Sequence, residues 1–235
     1  PEDRRRFLDV SLSQISRAYF YALQRYKKIL AQRNALLKDE NRALVLDTLP
    51  IWDESLTTAG AKVIFERNAF IAWLSPLCEQ AYSAISGGKE RIEVEGEQKF
   101  FGTESEIKEQ FTSALALRAE RDIDLGYTSV GPHRDDLKIK VDGTEVKTYG
   151  SQGQQRTAAL ALKLAETEIF KEKFGEYPVL ILDDAMSELD RSRRLRLIDM
   201  VKKFQTIITC TEPDCIPDYS RYKNIFVSGG KIIKE

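Results

Sequence analysis

Two acids in succession, Asp183 and Asp184, follow the apolar run Pro178-Val179-Leu180-Ile181-Leu182. A short, partly β-branched run of this kind predicts a strand buried on both faces of a parallel sheet. A carboxylate fixed at the end of such a strand can hold a Mg²⁺ ion with little conformational freedom to lose. The acid after it leaves the strand end in another direction, where it can orient or deprotonate an attacking water. The plainer alternative is a strand capped by two turn-forming acids, and the continuation Ser187-Glu188-Leu189-Asp190 weighs against it. Upstream, Ser151-Gln152-Gly153-Gln154-Gln155 lies just ahead of a helical pattern. A Ser hydroxyl and unpaired N–H groups at a helix N-terminus favour a phosphate, although Ser151 alone would read as an ordinary N-cap.

Other chemistries are poorly supported. Three cysteines in no CxxC spacing (Cys78, Cys210, Cys215) and a single histidine, His133, cannot form a disulfide framework or a Cys/His zinc site. A reducing, cytoplasmic compartment is the expectation. A lone histidine is more often a hydrogen-bonded structural residue than a catalyst, so His133 receives no catalytic role. No G-x-x-x-x-G-K-[ST] string occurs, and Gly87-Gly88-Lys89 lacks both its spacing and its strand-to-helix setting. No run approaches the ~20 apolar residues of a membrane span.

The elements that must position these residues fall into two kinds of text. Leu12, Ile15, Tyr19, Leu23, Tyr26, Leu30 and Leu37 draw one helical stripe between Ser11 and Lys38, predicting a single helix of ~26 residues. From Arg4 to Lys38 there are nine basic residues against one acid, Asp9. The net charge of the whole chain is only −1, so this bias is local; a solvated helix face is its plainest reading. Pro50 punctuates the chain ahead of a second helical pattern, 57–85, which Pro76 should kink or break. After Ser86-Gly87-Gly88 the pattern turns to α/β. A strand is expected over 91–95 and a helix over 104–120. A hairpin follows, its strands 137–141 and 145–149 joined through Asp142-Gly143, and then a helix over 153–174. After the apolar strand come a basic helix over 191–204, a strand over 206–209 and two strands about Gly229-Gly230. The 235 residues, 42% hydrophobic and 31% charged, suffice for one large domain or two small ones. The division expected is a helical arm over 1–88, extendable to about 125, and a head over 89–235.

The strand with two acids, the Ser-Glu-Leu-Asp string and the Ser-Gln-Gly-Gln-Gln string resemble the Walker B, D-loop and signature motifs of ABC-type ATPases. More specifically, Gly131-Pro132-His133-Arg134-Asp135-Asp136, Tyr149-Gly150-Ser151-Gln152-Gly153-Gln154-Gln155-Arg156-Thr157 and Leu182-Asp183-Asp184-Ala185-Met186-Ser187-Glu188-Leu189-Asp190 resemble the RecF family of bacterial recombination mediators. So do Arg4-Arg5-Arg6-Phe7-Leu8-Asp9, Arg33-Asn34-Ala35-Leu36-Leu37 and Trp52-Asp53. The resemblance covers essentially the entire chain. It implies the C-terminal part of an ABC-type, SMC-like ATPase head with a mainly helical arm, in a protein that binds ATP and Mg²⁺ between two copies and binds double-stranded, gapped or junction DNA as that homodimer. It implies action with RecO and RecR at gapped DNA to load RecA. Carried onto this sequence, it assigns Asp183 to the metal and Asp184 to the water-activating acid. Ser151, Gly153 and Gln154 are assigned to the γ-phosphate of the nucleotide across the dimer, and Asp190 to the D-loop.

Two departures from the pattern matter. The phosphate loop is expected to precede Pro1, so this chain alone is expected neither to bind ATP tightly nor to hydrolyse it. Thr209-Cys210-Thr211 stands where many ABC heads carry a histidine after the last catalytic strand. Arg4, Arg5, Arg6, Arg17, Arg25, Lys27, Lys28, Arg191, Arg193 and Arg194 are the candidates for a DNA-facing basic surface. A non-catalytic module whose arm docks a recombination partner is the rival reading. A RecN-like ATPase fits less well, because the helical projection is too short for a long coiled coil.

Overall fold

The structure, a computed structural model, describes residues 2–212, 215, 216 and 218–233. Its elements in chain order are α1 (Glu2–Ile15), α2 (Arg17–Leu36), α3 (Arg42–Ser86), β1 (Ile92–Gly96), α4 (Glu104–Ala116) and α5 (Ala119–Leu125). The remainder are β2 (Leu137–Val141), β3 (Thr144–Glu145), α6 (Val146–Tyr149), α7 (Gln152–Phe174), β4 (Leu180–Asp183), α8 (Arg191–Val201), β5 (Thr206–Thr209), β6 (Phe226–Ser228) and β7 (Lys231–Ile233). The chain divides into two compact units, Pro1–Pro76 with Val94–Ile139, and Leu77–Glu93 with Lys140–Glu235. These units interleave along the sequence.

The first unit is mainly helical. The single helix expected over 11–38 is two helices, because Ser16 adopts an extended conformation and its side chain accepts the N–H of Tyr19. This N-cap starts α2 afresh. Pro50 does not punctuate the chain either: it lies inside α3, a helix of 45 residues that also contains Pro76. An internal proline costs a helix ~3 kcal/mol or more. Here Val45, Leu49 and Leu56 are buried along the same helix, and Val45 and Leu49 pack with Leu37, Ala119 and Ile123. Burial of that size offsets the proline. The helix expected over 104–120 is α4 followed by α5, α4 opening on a reciprocal capping box between Thr103 and Glu106.

In the second unit the turn Asp142-Gly143 has positive φ at both residues, +50° and +76°. That is the backbone a tight antiparallel hairpin demands, and it pairs Val141 with Thr144 and Lys140 with Glu145. The second strand of this hairpin is shorter than expected, two residues, after which the chain makes one helical turn, α6. Strands β4 and β5 are parallel, in the register Leu180–Thr206 to Asp183–Thr209. The expectation that the apolar strand is buried on both faces is overturned: Leu180 and Leu182 are buried, but Ile181 is 65% exposed and Val179 is also exposed. Only the face bearing Leu180 and Leu182 is covered within this chain, so the burial alternates. The two final strands, β6 and β7, form the antiparallel hairpin expected about Gly229-Gly230.

Candidate functional site

Parallel pairing sets Asp183, the last residue of β4, beside Thr209, the last residue of β5. The Thr209 hydroxyl donates to Oδ1 of Asp183 at 2.5 Å and accepts the N–H of Asp184 at 3.1 Å. One side chain therefore aims the first carboxylate and fixes the backbone of the second. That backbone is unusual, since Asp184 has φ +45°, a left-handed conformation uncommon for non-glycine residues and concentrated at functional sites. Its carbonyl is held as well, accepting from Nη2 of Arg156 at 2.7 Å and from the Ser187 hydroxyl at 3.2 Å. The side chains of both acids face solvent. No group of three or more His, Cys, Asp or Glu residues is gathered for a metal among the described residues. A Mg²⁺ ion does not require one, because it is commonly bound by one or two carboxylates together with waters and phosphate oxygens. The hard oxygen donors at this strand end fit that ion.

Arg156 belongs to the first turns of α7, so the same interaction ties the helix that Ser151 caps to the strand end. Ser151 caps α7: its hydroxyl accepts the N–H of Gln154 at 3.2 Å, and the Gln154 side chain accepts the N–H of Ser151 at 2.9 Å. The hydroxyl keeps its own proton for a further acceptor. The N–H groups of Gln152 and Gly153, at the start of the helix, have no intrahelical acceptor. These donors together form an anion-receiving end. Its shape is held from behind. Glu90 accepts from the Gln154 amide at 2.8 Å, from Arg193 at 2.7 Å and from the Tyr82 hydroxyl at 3.2 Å. Arg193 reaches on to the Gly153 carbonyl and the Thr157 hydroxyl, each at 2.9 Å.

Asp190 caps α8, accepting from the N–H groups of Ser192 and Arg193 and from the Ser192 hydroxyl. The Ser192 hydroxyl first, then these amides, hold its carboxyl below the usual aspartate range. The basic candidates divide by position. Arg193 is an internal strut of the loop that opens α7, and Arg194 donates to the Leu189 carbonyl. Arg4 grips Asp136 through two hydrogen bonds, and Arg5 donates to the Asp135 carbonyl. Lys27 meets Asp9 at 3.3 Å while staying largely exposed. Arg6, Arg17, Arg25, Lys28 and Arg191 are exposed.

The Gly131–Asp136 string lies in the first unit and is a structural knot. Gly131 has φ +127°, and a Cβ there would sit 2.6 Å from the Tyr26 hydroxyl, so only glycine fits without movement. The Pro132 carbonyl accepts from buried Arg67, which also pairs with Asp9 at 2.6 Å. His133 accepts the Tyr26 hydroxyl at Nδ1, 2.6 Å, and donates from Nε2 to the Thr128 carbonyl, 3.0 Å. Both nitrogens are used by the fold, and burial lowers its pKa to about 4. Two further matched strings bond to each other: fully buried Arg33 pairs with Asp53 at 2.6 Å and with Asp122 at 2.9 Å.

Thr209 as an aligning group could have been found from the strand register alone. Glu90 carries no signal in the sequence, and Arg156, although inside a matched string, shows no role there, since both roles depend on which elements pack together.

No family model matches the chain. Among curated proteins it is 43% identical over 239 residues to a DNA replication and repair protein RecF of Ruminiclostridium cellulolyticum, covering 99% of this chain and 64% of the relative. It is 46% identical to that of Lachnoclostridium phytofermentans, with 90% and 57% covered. A solved structure of the recombination mediator protein RecF-ATPrS in the RecFOR pathway superposes with a TM-score of 0.83 at 36% identity, over 99% of this chain and 62% of that one. A RecF-ATP structure gives 0.77 at 37% identity, over 91% of this chain and 58% of that one. The chain thus spans about three fifths of the relatives it matches, and over that stretch its sequence and fold are those of the RecF family.

Proposed function

We propose that this chain supplies the Walker B and signature half of an ATP site in a RecF-type DNA replication and repair protein. In that reading ATP joins two heads, and the joined pair binds DNA at gaps, acting with RecO and RecR to load RecA. The observation that supports it most is the hydroxyl of Thr209 aligning Asp183 and Asp184 at a parallel strand end, tied through Arg156 to the Ser151 helix terminus. Mg²⁺, when bound, would neutralise developing charge on the phosphates. Asp183 would hold that ion, and Asp184, its backbone pinned, would orient the attacking water. Ser151, Gly153 and Gln154 would meet the γ-phosphate of a nucleotide carried by the second copy, with Asp190 at the joint between copies. The exposed bases Arg6, Arg17, Arg25, Lys28 and Arg191 are the best-placed candidates for duplex phosphates, whereas Arg4, Arg5, Arg193 and Arg194 serve internal contacts.

The test is an ATP–Mg²⁺ titration of this chain, alone and mixed with a phosphate-loop segment from a RecF relative. Tight binding is expected only in the mixture, with Asp183→Asn weakening its metal-dependent part. Tight binding by the chain alone would place the nucleotide elsewhere in these 235 residues and overturn the assignment.

A further inference from the structure

We propose that the solvent face of α2 binds single-stranded nucleic acid, with Tyr21 stacking on an unpaired base and Arg17, Arg25 and Lys28 meeting the flanking phosphates. This deepens the DNA-binding reading above and rests on it. Helix α2 buries Tyr19, Leu23, Tyr26, Ile29 and Arg33 and contains no acid. On the opposite side Arg17, Tyr21, Arg25 and Lys28 follow one another at steps of four, four and three, all exposed, and so form one stripe.

Tyr21 is 69% exposed, and the neighbouring Phe20, 41% exposed, meets it edge to face with ring centroids 5.5 Å apart. The carboxylates that this helix does engage are spent elsewhere, Asp9 on Lys27 and Asp53 and Asp122 on Arg33. A bare aromatic face is thus left between cations, each about 6 Å along the axis from the ring for Arg17 and Arg25.

Aromatic rings interleaved with cations are how proteins grip an unpaired strand: the cations track the backbone and the ring stacks on a base. The bases of a duplex are already stacked on each other and leave no face for Tyr21. An acidic peptide would use the cations but has no need of the ring, so the aromatic face favours the unpaired strand.

Fluorescence anisotropy of this chain at low salt, with a labelled oligo-dT and a labelled hairpin duplex, tests the proposal. Tyr21→Ala should weaken oligo-dT binding about tenfold while changing the hairpin by less than about twofold. Tyr21→Phe should bind like the parent, since stacking needs the ring and not the hydroxyl. Arg25→Ala should weaken both ligands. Equal losses in Tyr21→Phe and Tyr21→Ala would show a hydroxyl-to-phosphate contact and overturn the proposal. Parent-like binding by Tyr21→Ala would also overturn it, leaving the stripe to a protein partner, while the broader DNA reading stands. Failure of the parent to bind either DNA would overturn the proposal, since the stripe lies wholly on this chain, and would leave the reading of an ATP-joined pair to the titration above.

Discussion

His133 and Asp135, two residues apart, respond to acid in opposite senses. Burial lowers the pKa of His133 to about 4, against an ordinary 6.5, so the folded state holds the neutral imidazole. Its contribution to stability is complete above pH 6.5 and is lost as pH falls toward 4. Asp135 is pushed up to about 6, first by burial. Its ionised form burdens the fold above pH 6, and protonation relieves that burden as pH falls toward its ordinary 3.8. Between pH 6 and 4 the two slopes oppose one another. Asp135→Asn should steepen the acid loss of stability by roughly 1 kcal/mol per pH unit, and His133→Gln should flatten it. Urea unfolding at pH 4, 5, 6 and 7 checks this, and parallel curves for all three proteins would contradict the assignment.

Among elements, what was legible depended on whether neighbours in sequence or neighbours in space decide the outcome. The turn Asp142-Gly143, the capped start of α7 and the strand-acid-acid ending of β4 are local, and turn and cap chemistry specify them. The break at Ser16 was hidden because the apolar stripe continues through it. The passage of α3 through Pro50 was hidden because tertiary burial outweighed a local breaker. The candidate site was legible at Ser151, Asp183 and Asp184, whose types carry the chemistry. The role of Glu90 was not, nor were the bracing roles of Arg156 and Arg193, since each acts on a loop distant in sequence. Arg33 shows the same principle in the first unit, joining α2 to Asp53 of α3 and Asp122 of α5 inside the core. Arg33→Met should cost about 3–5 kcal/mol, because it leaves the Asp122 carboxylate buried without its cation, met only by the Ser129 N–H. Adding Asp122→Leu should recover part of that loss, and a double variant no more stable than Arg33→Met would show that the pair is not what holds these helices.

In the molecule as a whole, the bonds that complete the first unit reach far along the chain. Arg4 and Arg5 wait for Asp136 and Asp135, and Arg33 waits for Asp122. A fragment ending at residue 88, the arm expected from the helical apolar pattern, lacks all three acids. It should be a loosely helical chain without a cooperative unfolding transition, whereas a fragment ending at residue 139 should melt cooperatively. Circular dichroism in urea separates the two, and equal cooperativity would refute the linkage. The interleaving of the two units also sets a timetable for synthesis. Residues 77–93 leave the ribosome before the rest of the first unit and must stay uncommitted until residues 140–235 follow. The first 76 residues are meanwhile held open until 94–139 arrive. The first unit cannot finish folding until the second unit's earliest segment has been synthesised, so a slowed ribosome would expose the ion-pairing face of α1 and α2 for longest.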